Sequence, residues 1–230
     1  MKDRTNLLRS RLFSLLIIGT TLSLQSPLME AAATRQPTAR AELLTSNPVL
    51  DGEIRGDAAW EKVTPIQDFW QLRPKIGEPA SQDTDVYIGY TNDTLYIGVI
   101  LHDSDPGKII VADSRRDADL KETDSFTMII DSFLDKQNGF VFGTNPAGIE
   151  YDGQVTNEGS GNFGSGGGGF NLNWDTNWSV KTKKGDYGWS LEMAIPFTSL
   201  RYGKESIQKW GFNFQRNIRR INETSYWAAL

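Results

Sequence analysis

The stretch TDVYIGYTNDTLYIGVIL, residues 84–101, decides the fold class. Val86, Ile88 and Tyr90 alternate with polar or small neighbours, and Leu95, Ile97, Val99 and Leu101 do the same after a short break. A period of two places side chains on opposite faces of a strand, so each run reads as a half-buried strand. Thr91, Asn92 and Asp93 between them supply hairpin-loop chemistry. Working outward, DSFTMIID (124–131) repeats the pattern with Phe126, Met128 and Ile130 on one side. GFVFGTN (139–145) and GIEYDGQV (148–155) are two further strands around the turn Asn145, Pro146, Ala147, Gly148.

NWSVKTKKGDYGWSLEMAI (177–195) reads as a hairpin turning at Lys184, Gly185 and Asp186. Trp178 and Val180 line one arm, and Trp189, Leu191, Met193 and Ile195 line the other; Pro196 ends the run because it lacks an N–H for the ladder. In WGFNFQRNIRRI (210–221) Phe212 and Phe214 are expected inside and Asn213, Gln215 and Asn217 outside. Only IRGDAAWEKV and PFTSLRY could hold a helical turn or two. Short strands punctuated by glycine, asparagine and aspartate predict an all-β protein, an antiparallel β-sandwich of the jelly-roll kind.

The N-terminus reads differently. Lys2, Arg4, Arg9 and Arg11 precede an apolar run over 12–24 that is short for a membrane span, followed by small residues suited to cleavage after Ala31 or Ala33. Residues 1–33 are therefore expected to be a signal peptide, 34–46 a linker, 47–227 the sandwich and 228–230 the start of a downstream region. Export without cysteine fits a bacterial envelope or extracellular protein. There is no cysteine, which excludes disulfides, thiolate metal sites and a cysteine nucleophile, and the single histidine, His102, excludes multi-histidine sites. Without residues 1–33 the chain carries 20 basic and 27 acidic residues. A net charge of about −7 argues against a nucleic-acid partner.

Five of the six residues 164–169 are glycine, which formally satisfies G-x-G-x-x-G. A dinucleotide site needs a helix after such a loop, and FNLNWDTNW is not a helix start. The stretch is expected to be a mobile loop within one sandwich. Asp113, Asp117, Asp119, Glu122, Asp124 and Asp131 fall within twenty residues. They are read first as solvated turn residues, second as calcium ligands, and third as a glycosidase acid–base pair. No G-x-S-x-G occurs to support a serine nucleophile. Of seven tryptophans, Trp178 and Trp189 are expected in the core, whereas Trp174 and Trp70 lie near loops or strand ends. Exposed indoles beside amide and guanidinium donors suit the flat C–H faces and hydroxyls of sugars.

PVLDGEIRGDAAWEKV, with Asp51-Gly52 and Trp60 at its marked positions, resembles the opening of family 9 carbohydrate-binding modules. TDVYIGYTNDTLYIGVILHDSDP, DSFTMIIDSFLD, FGTNPAGIEYDG, WDTNWSV, GWSLEMAIPFTSLRY and WGFNFQRNIRRINETSYW continue the resemblance in order along nearly the whole mature chain. It implies a noncatalytic β-sandwich that binds an oligosaccharide or polysaccharide, and Ca2+ as a structural ion. Arg115-Arg116-Asp117 and the segment from WDTNW to INETSYW are closest to a bacterial subgroup in which a downstream outer-membrane β-barrel region follows in the same chain. The expected binding set is Trp174 and Trp70 for stacking, with Arg116 and Asn213 as donors to sugar hydroxyls. The other two readings are the targeting part of a glycoside hydrolase and a structural domain of a barrel protein with no sugar ligand.

Overall fold

The computed structural model describes residues 37–160 and 169–228. The expected signal peptide and the glycine-rich loop, up to residue 168, lie outside the described residues. The strands are β1 (Glu42–Leu43), β2 (Trp70–Arg73), β3 (Thr84–Tyr90), β4 (Thr94–His102), β5 (Ser125–Asp131) and β6 (Gly139–Thr144). There follow β7 (Tyr151–Val155), β8 (Phe170–Asn171), β9 (Ser179–Gly185), β10 (Gly188–Pro196), β11 (Gly211–Ile218) and β12 (Glu223–Tyr226). They form a five-stranded sheet in the order β1-β3-β4-β10-β9 and a seven-stranded sheet in the order β2-β12-β11-β5-β6-β7-β8. Every pairing is antiparallel except β1 with β3. The all-β sandwich expected from the alternation is the architecture found.

The main core lies between the sheets. Ile97, Val99 and Leu101 of β4 and Trp189, Leu191 and Met193 of β10 face Phe126, Met128, Phe142 and Phe214 across it. Trp178 and Trp189 are both buried, as their positions in the alternation require. All of this core belongs to residues 36–230, which form a unit of their own.

A second core changes the reading of β4. Tyr96 and Ile100 point away from the first core, yet they too are buried, under Leu44, Ile54, Trp60 and Val63. Residues 54–63 cover that face as a series of turns rather than a helix. Glu192, on the same face of β10, is buried and accepts hydrogen bonds from Trp60 Nε1 at 2.8 Å, Asp51 N at 3.0 Å and Gly52 N at 2.9 Å. A Cβ at Gly52 would lie 2.6 Å from the Thr182 carbonyl carbon, and its φ of +86° favours glycine. Asp51-Gly52 and Trp60 therefore pin the N-terminal segment onto the five-stranded sheet. The segment expected to be a linker includes β1 and the buried Leu44, so the ordered sheet begins before Asn47.

β11 departs from simple alternation at its end. Asn217 was expected on the solvent face but is buried, because residues 120–123 cross over it and its amide donates to the Thr123 carbonyl at 2.7 Å. Arg216 points inward beyond Phe214 and is fully enclosed. Its guanidinium donates to the carbonyls of Asp83 at 2.7 Å and His102 at 2.5 Å and to Thr84 Oγ1 at 3.0 Å, tying the seven-stranded sheet to the ends of β3 and β4. Burial pushes the Arg216 pKa down to about 10, which leaves it charged at neutral pH.

Candidate functional site

The outer face of the seven-stranded sheet carries aromatic and polar side chains side by side. Its strands pair so that Trp70, Tyr226, Gln215, Thr127, Gly143 and Tyr151 stand in one row across the strands. The next row runs Asn213, Ile129, Val141 and Gly153. The inward residues of β5, β6 and β11 are core phenylalanines and aliphatics, and those of β2, β7 and β12 are the buried polar side chains Gln71, Asp152, Glu223 and Ser225, so parity sends both rows outward.

Trp70 presents 46% of its surface to solvent, while Tyr226, Gln215, Thr127, Ile129 and Val141 are half-buried. Tyr226 Oη donates to Gln215 Oε1 at 2.7 Å, which orients the amide beside the indole. Burial raises the Tyr226 pKa, so the phenol stays neutral and a hydrogen-bond donor. At the far side a Cβ on Gly153 would lie 2.6 Å from Phe170 Cζ, and Phe170 stacks on Tyr151 with ring centres 6.3 Å apart. Leu120 fills the space over Gly143, 2.7 Å from where a Cβ would sit, and so separates Thr127 from Tyr151 within the row. From Trp70 to Tyr151 the row spans five strand spacings, about 24 Å.

The four residues singled out from the sequence fall in different places. Trp70 stands at one edge of the face, and Asn213 lies in its second row. The Asn213 side chain is engaged: Nδ2 donates to the Ala228 carbonyl at 3.3 Å, and Oδ1 accepts from Ala228 N at 3.0 Å. Trp174 follows β8, packed half-buried on Phe140 with ring centres 5.0 Å apart. β2 and β8 are the two edges of the sheet, roughly 29 Å apart at ordinary strand spacing, so Trp70 and Trp174 do not form two walls of one clamp.

Arg116 is bound by carboxylates. It contacts Glu150 and Asp175, reaches Asp152 at 2.6 Å and Asp117 at 3.6 Å. Against the downward pull of its partial burial, these four carboxylates raise its pKa. It staples residues 113–119 to β7 and to the segment after β8. Tyr226, Gln215, Thr127, Ile129 and Val141 were not singled out as site residues. Their outward parity is visible in the sequence, but that β12, β11, β5 and β6 are neighbours is not.

Of the other acidic residues, Glu122 pairs with Arg219 at 2.8 Å, and Asp124 is not a solvated turn residue but is buried, accepting from Arg219 N at 3.0 Å; Asp119 and Asp131 do act in turns. Asp119 caps the turn at Leu120–Glu122 through Lys121 N, and Asp131 accepts from the amides of Phe133, Asp135 and Lys136. Among the described residues no group of three or more His, Asp or Glu side chains is placed to hold a metal ion, so no residue is assigned to calcium.

No family model matches the sequence, and no curated protein matches it. Solved structures do. A family 9 carbohydrate-binding module from Caldicellulosiruptor kristjanssonii, solved with cellotriose, superposes with a TM-score of 0.50 at 17% identity over 82% of this chain and 88% of that one. The chain shares the β-sandwich fold of that module. A Bacteroides uniformis protein described as carbohydrate-binding shares it, with a TM-score of 0.59 at 12% identity over 85% of this chain and 91% of that one.

Proposed function

We propose that the chain is a noncatalytic carbohydrate-binding module that holds a saccharide on the outer face of its seven-stranded sheet. The observation that carries this reading is the in-register row Trp70, Tyr226, Gln215, with an exposed indole next to an oriented amide. An indole stacks on the C–H face of a sugar ring, and the Gln215 amide and Thr127 hydroxyl donate to and accept from its hydroxyls. Ile129 and Val141 extend the apolar floor. The cellotriose-bound module of the same fold supports a β-linked oligosaccharide as the first ligand to test. A part in carbohydrate catabolism, export by residues 1–33 and a downstream barrel region belong to the same proposal and rest on the sequence resemblance and the N-terminal pattern.

Tryptophan fluorescence of residues 36–230, titrated with an oligosaccharide panel with and without calcium, tests it. A saturable change is expected, with Trp70→Ala raising Kd roughly 10- to 100-fold through loss of a buried aromatic contact. A change that persists in Trp70→Ala moves the site elsewhere, and no change with any sugar from the folded protein removes the reading.

A further inference from the structure

The register of β2 on β12 brings a cation onto the saccharide face. Trp70 pairs with Tyr226 and Gln71 with Ser225, but Arg73 pairs with Thr224, so Leu72 is the extra residue of a bulge. Thr224 and Tyr226 alternate with the buried Glu223 and Ser225 and therefore face outward, and residues directly opposite across a strand pair share a face. Arg73 thus stands on the same face as Trp70, exposed and one row further along. Thr224 lies two residues from Tyr226, about 7 Å at ordinary strand rise, a step that an arginine side chain spans.

The guanidinium of Arg73 forms no ion pair among the described residues. The carboxylates around it are turned elsewhere or offset. Glu223 is buried and accepts from Ser81 N at 2.9 Å, and Glu122, in the segment crossing over Asn217, pairs with Arg219 at 2.8 Å. Lys75 and Glu78 share the turn after β2, and Asp68 lines a cleft with Asp83 and Asp85. The two tyrosines of the outward row accordingly sit in opposite surroundings. Arg73 pulls the Tyr226 pKa down against burial, whereas Asp119 and Asp117 add to burial in raising that of Tyr151.

We propose that the saccharide held on this face carries a carboxylate, and that Arg73 is the residue that selects such a uronate. This rests on the saccharide reading of the face and names the class of sugar it takes. A guanidinium offers parallel N–H donors that match a carboxylate in a two-point contact, and it stays charged at any physiological pH. A uronate ring stacked on Trp70 has the Gln215 amide for its hydroxyls and Arg73 for its carboxylate. Beyond Leu120, Asp117 and Asp119 repel the same charge, so the acidic residue of the ligand belongs at the Trp70 end.

Calorimetric titration of residues 36–230 with two matched pairs tests this: cellotriose against cellotriose oxidised at C6 to glucuronate, and xylotriose against xylotriose carrying a glucuronate branch. The acidic member of at least one pair is expected to bind roughly 3- to 10-fold tighter, an advantage that shrinks as salt is raised. Arg73→Gln keeps a polar side chain without the charge and is expected to bring the ratio of Kd values within that pair close to one. Trp70→Ala is expected to weaken both members. Arg73 is exposed, and an unchanged thermal midpoint checks that its variant is folded. Neutral sugars that bind as tightly as their acidic partners overturn the proposal and leave the saccharide face standing. An acidic preference that survives Arg73→Gln also overturns it, because another cation then reads the charge. Failure of every one of these sugars to bind the folded protein removes the saccharide face and this inference together.

Discussion

Glu192 shows how one buried side chain can decide an attachment. Its two oxygens receive three N–H groups from the N-terminal segment, so removing it leaves the buried donors of Trp60 and Gly52 without an acceptor. Glu192→Ala is expected to cost about 3 kcal/mol, read as a lower urea midpoint. Glu192→Gln should rescue only part of this, because one amide group cannot accept at both positions. Equal stability of all three proteins would show that the segment is held by apolar packing alone. Trp70 and Trp174, similar in the sequence, separate here for the same kind of reason: one indole has core phenylalanines to lie against and the other does not.

Elements carry the next constraint. β4 is buried on both faces, so its even-numbered residues are as sensitive as its odd ones. Ile100→Ala and Ile97→Ala should each destabilise by about 2–5 kcal/mol. A strand with a solvated outer face would show that loss only at Ile97. In β11, Arg216→Ala should cost about 3–5 kcal/mol, because it strands the buried acceptors that now share one guanidinium. Gln215→Ala, one residue away but facing out, should leave stability within about 0.5 kcal/mol and weaken saccharide binding. Urea unfolding of both variants beside the fluorescence titration separates the two effects.

For the whole molecule the buried carboxyl groups set the response to pH. Burial raises the pKa of Asp124, Asp152 and Glu192 in the folded protein. A carboxyl with a raised folded pKa binds more protons in the folded state, so stability increases as pH falls through the interval between the unfolded and folded values. Asp93 and Asp135 have lowered pKa values through side-chain hydrogen bonds, and what they contribute is lost only as pH falls below the ordinary carboxylate range. The urea midpoint of residues 36–230 is therefore expected to rise slightly from pH 7 towards pH 5 and fall below about pH 4. A monotonic fall from pH 7 downward would contradict this.

The alternation of Val86 and Ile88, of Ile97 and Val99, and of Leu191 and Met193 was enough to determine strands, core faces and a sandwich, because a strand's parity is a local property of consecutive residues. Asp51-Gly52 and Trp60 could be recognised as a resemblance before their hydrogen bonds to Glu192 were known. Which faces are covered twice, why Arg216 and Asn217 are enclosed, and which outward residues become neighbours were decided only in the tertiary structure. Those properties depend on strand order and on segments more than ninety residues away, such as residues 120–123 over Asn217. Trp70 meets Tyr226 and Gln215 because long-range pairing sets three strands edge to edge, and no local pattern encodes that adjacency.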